Sequence, residues 1–245
     1  MVLLLYYPLH KIRRLGQAGY DCVYLEAPHL LPMNSNVEID GEVVQITNGQ
    51  RENAKAWFVY SKTDYADASM ALKEVPMEYI GLDVSIEKVK ECLMQCEDEF
   101  CAVLGFSQGA TFGHILSQLA STAKQKTSND NNNSEVQCPF SKIQCAILIS
   151  GFPSMHNGTI PYELTPHENI NEHNNDNKLH LNSLHIWGEN DTSVPKIYGE
   201  KLSNCFIDPE IYVHEKSHYI PHNKPLIESV ITFLQSCSSE TCEQE

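Results

Sequence analysis

The chain has 245 residues, of which 42 % are hydrophobic and 20 % charged, proportions that are ordinary for a soluble globular protein. Its 17 Lys and Arg residues against 32 Asp and Glu residues leave a formal net charge of −15. A protein with this excess of negative charge repels phosphate backbones and anionic lipids. We therefore expect no nucleic-acid partner and no membrane insertion. The sequence also indicates no obligate protein partner.

The 9 cysteines include no C-x-x-C pair and no zinc-type spacing, and an odd number leaves at least one thiol unpaired. We therefore expect reduced thiols, no metal, no other cofactor and a cytoplasmic protein. The apolar run at residues 2–7 lacks the basic residues before it and the small-residue cleavage site after it that mark a signal peptide. It is also too short to cross a bilayer.

Apolar runs alternate with helical patterns along the chain, which predicts an α/β fold with a mostly parallel central sheet and helices on both faces. In chain order, strands are predicted at residues 21–26, 100–104, 145–150, 184–187 and 211–214. Helices are predicted from a cap at Asp83 or Ser85 to Gln95, after residue 107, at 196–204 and at 225–236. The polar segment 34–73, which follows the first of these strands, is predicted to be irregular.

No composition break divides the chain, which predicts a single domain over residues 1–245. Two Asn-rich tracts, 128–136 and 167–178, are predicted to be flexible insertions, and the polar tail 238–245 is predicted to fray. A lid over the functional site is the alternative interpretation of the second tract. A metal site is not favoured there, because the spacing of its His and acidic residues matches no known ligand pattern.

The sequence G-F-S-Q-G at residues 105–109 lies between a predicted buried strand and a helical pattern. A turn from strand to helix can be so tight that only glycine fits two residues to either side of the serine, and its strain exposes the hydroxyl above the sheet edge. This pattern predicts a nucleophile at Ser107. An ordinary glycine-rich turn is the alternative, because the motif alone also occurs by chance.

A nucleophilic serine needs a base, and the base needs an orienting carboxylate. Asp191 lies on the loop that leaves the predicted strand 184–187, and His218 lies just past the last predicted strand. All three side chains thus follow strands, at the carboxyl edge where open α/β sheets build their sites. The pattern predicts a Ser-His-Asp triad of Ser107, His218 and Asp191. Three other candidates for the acid and the base are less well placed. Asp208 precedes the last predicted strand, His214 lies within that strand, and His222 lies at the start of the last predicted helix.

Three blocks of sequence, residues 103–110, 188–195 and 214–221, resemble the FSH family of serine hydrolases. Two more segments resemble the A-P-H and R-A-W segments of that family: residues 23–29 and 54–58. The resemblance runs from about Lys11 to about Leu234. It implies an α/β-hydrolase that cleaves small carboxylic esters or thioesters through an acyl-enzyme, with Ser107 as nucleophile, Asp191 as orienting acid and His218 as base.

In such an enzyme the backbone N–H of Gln108 would be one donor of the oxyanion hole, which stabilises the charge that develops on the attacked carbonyl oxygen. Phe106 and Trp57 are the predicted substrate-pocket residues. For Trp57, packing that caps the core is the favoured alternative.

The N-terminus departs from the family, whose members begin with a strand ending in L-H-G-[FY] that leads into the second oxyanion donor. Residues 1–10 contain no such motif, and residues 11–15 resemble the end of the family's first helix. The sequence therefore predicts an N-terminally shortened fold without the first strand, its loop and most of a helix. Losing one oxyanion donor typically costs about 10²–10³ in turnover, so a catalytically impaired, hydrolase-like binding module is the alternative function.

A second departure precedes the predicted base. Residues 216–217 are Lys-Ser where the family has Gly-Gly. This predicts a restricted turn before His218, because glycine adopts backbone conformations that other residues avoid.

Overall fold

The computed structural model describes residues 1–5, 15–16, 18–31, 35–39, 42–46, 54–59, 78–98, 100–129, 138–156, 178–221 and 223–242. Six strands form one parallel sheet in the order β10-β9-β8-β7-β1-β2: β1 (Val2–Leu5), β2 (Cys22–Tyr24), β7 (Cys101–Phe106), β8 (Ile143–Ile149), β9 (Asn182–Gly188) and β10 (Glu210–His214). Two short antiparallel pairs accompany it: β3 (His29–Leu30) with β6 (Lys55–Ala56), and β4 (Ser35–Ile39) with β5 (Glu42–Ile46).

Helices cover both faces of the sheet: α1 (Leu82–Gln95), α2 (Gln108–Asn129), α3 (Lys196–Ser203), α4 (Lys224–Cys242) and a short 3₁₀ turn (Pro139–Lys142). Successive side chains of a strand point to opposite faces. Leu3 and Val103 therefore pack in a core with α1, α2 and α3, whereas Leu4 and Leu104 pack in a second core with α4. The predicted parallel sheet with helices on both faces is confirmed.

Strand β1 lies in the centre of the sheet, between β2 and β7. Its four side chains are at most 1 % exposed. A central parallel strand is buried on both faces and therefore reads as a continuous apolar run, which Val2–Leu5 is. The prediction that the first strand is missing was wrong, because an apolar run is sufficient to form it without the expected motif at its end. The predicted loss of the following loop and helix falls mainly on residues 6–14, which lie outside the described residues.

The start of helix α1 differs from the prediction. Its N-cap is Gly81, with a φ of 76°, and no side chain caps the helix. Asp83 and Ser85 both lie inside the helix, and the Ser85 hydroxyl donates a hydrogen bond to the carbonyl of Trp57. The predicted cap at Asp83 or Ser85 was therefore wrong, because the helix begins before both residues, at Leu82.

Other boundaries differ in length. Helix α4 continues to Cys242, past the predicted end at residue 236 and into the tail that was predicted to fray. The segment 34–73, predicted to be irregular, contains β4, β5 and β6. The tracts 128–136 and 167–178 lie outside the described residues, except for the last two residues of α2 and Lys178. The single-domain organisation stays a prediction.

Candidate active site

The strand order of the sheet reverses between β1 and β7: the chain goes from β1 to β2 on one side and later to β7 on the other. In open α/β sheets this reversal, at the carboxyl ends of the strands, is where ligands bind. The three residues of the predicted triad follow β7, β9 and β10 at that same edge: Ser107, Asp191 and His218.

Residues 105–109, called the elbow below, form a tight turn from β7 into α2. Ser107 has a φ of 54°, in the left-handed region that non-glycine residues rarely adopt. A Cβ on Gly105 would lie 2.2 Å from the carbonyl oxygen of Gly109, and a Cβ on Gly109 would lie 2.1 Å from that of Leu5. Both glycines are therefore required by close approach. The elbow closes on itself and lies against the end of β1.

The backbone also fixes the elbow from the other side, because the Ser107 N–H donates to the Ile149 carbonyl on β8 at 2.9 Å. Ser107 is half-buried at this position. Positive φ at a non-glycine residue costs of order 1–3 kcal/mol and persists only where the surroundings impose it. The strained serine predicted from the motif is thus present, held between β1 and β8.

Asp191 and His218 are brought together by the loops after β9 and β10. The Oδ2 atom of Asp191 accepts a hydrogen bond from Nδ1 of His218 at 2.7 Å. Its Oδ1 atom accepts from the backbone N–H groups of Ser193 and Val194, at 2.9 and 2.8 Å. The Asp191 side chain is fully buried, while that of His218 is 21 % exposed. Because the carboxylate holds the proton on Nδ1, the second ring nitrogen, Nε2, is an acceptor and can serve as a base.

Backbone hydrogen bonds join these two loops. The N–H groups of Glu189 and Asn190 donate to the carbonyls of His214 and Lys216, at 2.8 and 3.2 Å. At Gly188 a Cβ would lie 2.3 Å from the Lys216 carbonyl oxygen, so glycine is needed for the loops to approach this closely. The hydrogen bond between Asp191 and His218 therefore joins two loops that are also linked by backbone hydrogen bonds.

The turn before His218 does not need the glycines that the family pattern has there. In the described part of the chain, the non-glycine residues with positive φ are Ser107, Ser150 and Asp208. Lys216 and Ser217 are not among them, and the loop still brings His218 to Asp191. The predicted restriction at these two positions was wrong, because the turn uses only conformations open to any residue.

His214, the rival histidine, supports the loop. Its Nδ1 accepts the backbone N–H of Lys216 at 3.2 Å. Burial lowers the pKa of His214, although the charge of Asp191 opposes this. Because Nδ1 accepts the N–H of Lys216, it carries no proton and is committed to the turn.

The two predicted pocket residues have different surroundings. The Phe106 ring packs against the His218 ring, with centroids 4.7 Å apart, which places the imidazole beside the residue that precedes Ser107. Trp57 is 4 % exposed and stacks on Phe112, with centroids 4.7 Å apart. The packing role favoured for Trp57 is the one observed. Contact of either residue with a substrate stays a prediction.

Sequence reasoning missed the Gln108 side chain and considered only its backbone N–H. The side-chain oxygen accepts the N–H of Trp57 at 2.9 Å, and the side-chain nitrogen donates to the carbonyl of Phe58 at 2.9 Å. A polar side chain directly after the serine was a signal. Its partners lie about fifty residues away in the sequence, however, and no local pattern identifies them.

Within the described ranges, no group of three or more His, Cys, Asp or Glu residues is arranged to hold a metal ion. None of the helices in the same ranges has both the length and the apolar character needed to cross a bilayer.

A parallel α/β sheet with a strained serine elbow after a central strand, and an acid and a histidine after later strands, defines the α/β-hydrolase class. The family model described as "Serine hydrolase (FSH1)" matches residues 4–230. The chain therefore belongs to the FSH family of serine hydrolases.

Curated relatives are named as esterases. Esterase OVCA2 of Danio rerio is 26 % identical over 212 residues, which cover 86 % of this chain and 81 % of the relative. An esterase of Anopheles gambiae is 33 % identical over 156 residues, which cover 63 % of this chain and 48 % of the relative. The chain thus spans about half the length of the Anopheles protein. Among solved structures, acyl-protein thioesterase 2 of Zea mays is 19 % identical with a TM-score of 0.44, covering 74 % of this chain and 72 % of that one.

Proposed function

We propose that this protein hydrolyses small carboxylic esters or thioesters through a Ser107-His218-Asp191 triad and an acyl-enzyme. The observation that carries the proposal is the 2.7 Å hydrogen bond between Asp191 and His218, beside the strained serine elbow. The family and its relatives, which are named as esterases, support hydrolysis of an ester bond. A small-molecule substrate is part of the proposal.

In the proposed first step, Nε2 of His218 takes the proton of the Ser107 hydroxyl as the oxygen attacks the acyl carbonyl. Asp191 holds the ring in the tautomer that leaves Nε2 free and stabilises the imidazolium that forms. The leaving alcohol or thiol takes the proton back from His218 as its bond to the acyl carbon breaks. Water then attacks the acyl-enzyme by the same route, which releases the acid and restores the serine.

The oxyanion would be stabilised first by the backbone N–H of Gln108, at the N-terminus of α2. The first four N–H groups of a helix have no partner within the helix, and the helix dipole favours negative charge there. The end of β1 borders the elbow, because a Cβ on Gly109 would lie 2.1 Å from the Leu5 carbonyl oxygen. The residues that follow, 6–14, lie outside the described residues.

The test is turnover of p-nitrophenyl acetate, butyrate and octanoate, together with a thioester of matching acyl length. Wild type should hydrolyse at least one of them. Ser107→Ala and His218→Ala should each lose on the order of 10⁶-fold in kcat. His180→Ala is the matched control, since His180 is an exposed histidine outside the site, and it should retain wild-type turnover.

Two outcomes would contradict the proposal. The first is a folded wild type that turns over none of these substrates faster than Ser107→Ala does, which would favour the impaired binding module. The second is wild-type turnover in His218→Ala, which would remove the histidine from the mechanism. If wild type is active, the ratio of its ester turnover to its thioester turnover identifies the preferred leaving group.

A further inference from the structure

Residues 54–59, called the strap below, run past the elbow and are fastened to the fold on two sides. Within the strap, Lys55–Ala56 pair with His29–Leu30 of β3. Val59 exchanges two backbone hydrogen bonds with Ile80, at 3.0 and 2.8 Å, just before α1. The strap is thus tied to β3 and to the start of α1, and both attachments are independent of the elbow.

The start of α1 is itself held against the strap and β3. The Ser85 hydroxyl donates to the Trp57 carbonyl, and the His29 ring lies 2.7 Å from the Gly81 carbonyl. A Cβ on Gly81 would lie 2.4 Å from the His29 ring, so the two are in close contact. The A-P-H and A-W segments of the sequence therefore meet in one packed unit with α1.

Gln108 connects this unit to the elbow. Its side chain accepts the N–H of Trp57 and donates to the carbonyl of Phe58, both at 2.9 Å. The side-chain amide thus forms hydrogen bonds with the backbone of two consecutive residues of the strap. Gln108 is also the residue directly after Ser107, and its own N–H is the proposed oxyanion donor. One residue thus carries both the donor and the connection that fixes the elbow to the strap.

We propose that the side chain of Gln108 is a positioning residue: it holds the elbow against the strap and so fixes the direction of the Gln108 N–H during ester hydrolysis. This inference rests on the proposed function. An oxyanion donor is effective only when it lies about 2.7–3.1 Å from the developing charge. A displacement of about 1 Å at a site of this kind can cost on the order of 10²-fold in rate. Without the side-chain amide, the elbow and the strap can shift relative to each other.

The variant Gln108→Met removes both hydrogen bonds at nearly constant side-chain length. Gln108→Asn keeps the amide but is one carbon shorter, so it cannot reach both partners. We expect each variant to lower kcat by about 10- to 100-fold. KM for the same p-nitrophenyl ester should stay within about threefold, because the lost interaction acts on the transition state.

A matched control is available in Gln144→Met. Gln144 also makes two side-chain hydrogen bonds, to Lys124 and to the Ser141 carbonyl, but it lies at the start of β8, at the opposite edge of the sheet. It should lose as much thermal stability as Gln108→Met and keep wild-type kcat. A boronic acid that mimics the tetrahedral intermediate gives a second readout. Its inhibition constant should rise in Gln108→Met by the same factor as kcat falls.

Three results separate this proposal from the proposed function. Absence of turnover in folded wild type would overturn both. Wild-type turnover with unchanged kcat in Gln108→Met and Gln108→Asn would overturn the positioning role alone. A loss in Gln108→Met that appears only in KM, or that leaves the boronic acid constant unchanged, would also overturn it, since the side chain would then shape the binding of the ground state.

Discussion

Gly188→Ala tests whether the junction between the loops after β9 and β10 holds His218, the proposed catalytic base, in place. The new Cβ would lie 2.3 Å from the Lys216 carbonyl oxygen, 2.6 Å from that of Ser217 and 3.0 Å from Cε1 of His214. Non-bonded atoms of this kind are at their best separation at roughly 3.5 Å. Because two of the three opposing atoms belong to the backbone, no side-chain rotation relieves the contact. The loop that carries His218 must therefore move by about 1 Å.

The size of the effect follows from that displacement. A shift of about 1 Å in a catalytic group can cost on the order of 10²-fold in rate, and overpacking a well-packed site costs typically about 1–3 kcal/mol of stability. The hydrogen bond between Asp191 and His218 spans the same junction at 2.7 Å. We therefore expect kcat/KM for a short p-nitrophenyl ester to fall about 100-fold, and the free energy of unfolding to fall by about 1–3 kcal/mol.

The assay is initial-rate turnover together with urea unfolding of the same samples. Gly16→Ala is the control, because no atom of the described residues lies within 4 Å of a Cβ at Gly16. It should match wild type in turnover. If Gly188→Ala keeps wild-type turnover and stability, the two loops do not pack as described and the reasoning fails.

The other predictions concern the strained serine, the proposed orienting acid and a buried histidine. Ser107→Gly and Ser107→Ala should both lose turnover, but Ser107→Gly should be the more stable in urea by about 1 kcal/mol, because only glycine relieves the positive φ; equal stability would show that the turn is not strained. Asp191→Asn should fold but lose on the order of 10⁴-fold in kcat, because an amide cannot hold His218 in the required tautomer; wild-type kcat in that variant would exclude Asp191 as the orienting acid. Burial lowers the pKa of His185 to about 3, so below about pH 6.5 the unfolded chain binds a proton that the folded chain does not, and stability falls as the pH falls. We therefore measure the free energy of unfolding in urea between pH 6 and pH 4. As the pH falls, it should decrease less steeply in His185→Gln than in wild type, by up to about 1.4 kcal/mol per pH unit. The same pH dependence in both proteins would contradict this.

The elements that local pattern encodes were predictable. The glycines around Ser107 are there because of close backbone approach, so the motif carries its own structural reason. Asp191 and His218 are far apart in the sequence, yet parallel strands gather their carboxyl ends at one edge of a sheet. Placing both residues just after strands was therefore enough to predict that they lie close together, and the structure joins them by a hydrogen bond.

The features that sequence reasoning missed either depend on tertiary contacts or were sought through a family motif that the chain lacks. Strand β1 was overlooked because a family motif was sought, whereas burial between two strands needs only an apolar run. The start of α1 was predicted from a cap at Asp83 or Ser85, but the helix begins at Leu82 after Gly81, and the Ser85 hydroxyl donates to the Trp57 carbonyl. The contacts of the Gln108 side chain with the strap likewise join segments about fifty residues apart. Such pairings arise only when the chain folds.

The most direct test of the proposed mechanism is covalent labelling of folded protein with a fluorophosphonate, followed by intact mass and peptide mapping. Such a probe reacts with a serine that a neighbouring base has activated. We predict one adduct per chain, on the peptide that contains Ser107, absent in Ser107→Ala and formed far more slowly in His218→Ala. No adduct on folded wild type, or an adduct that persists in Ser107→Ala, would contradict the assignment of Ser107 as the nucleophile.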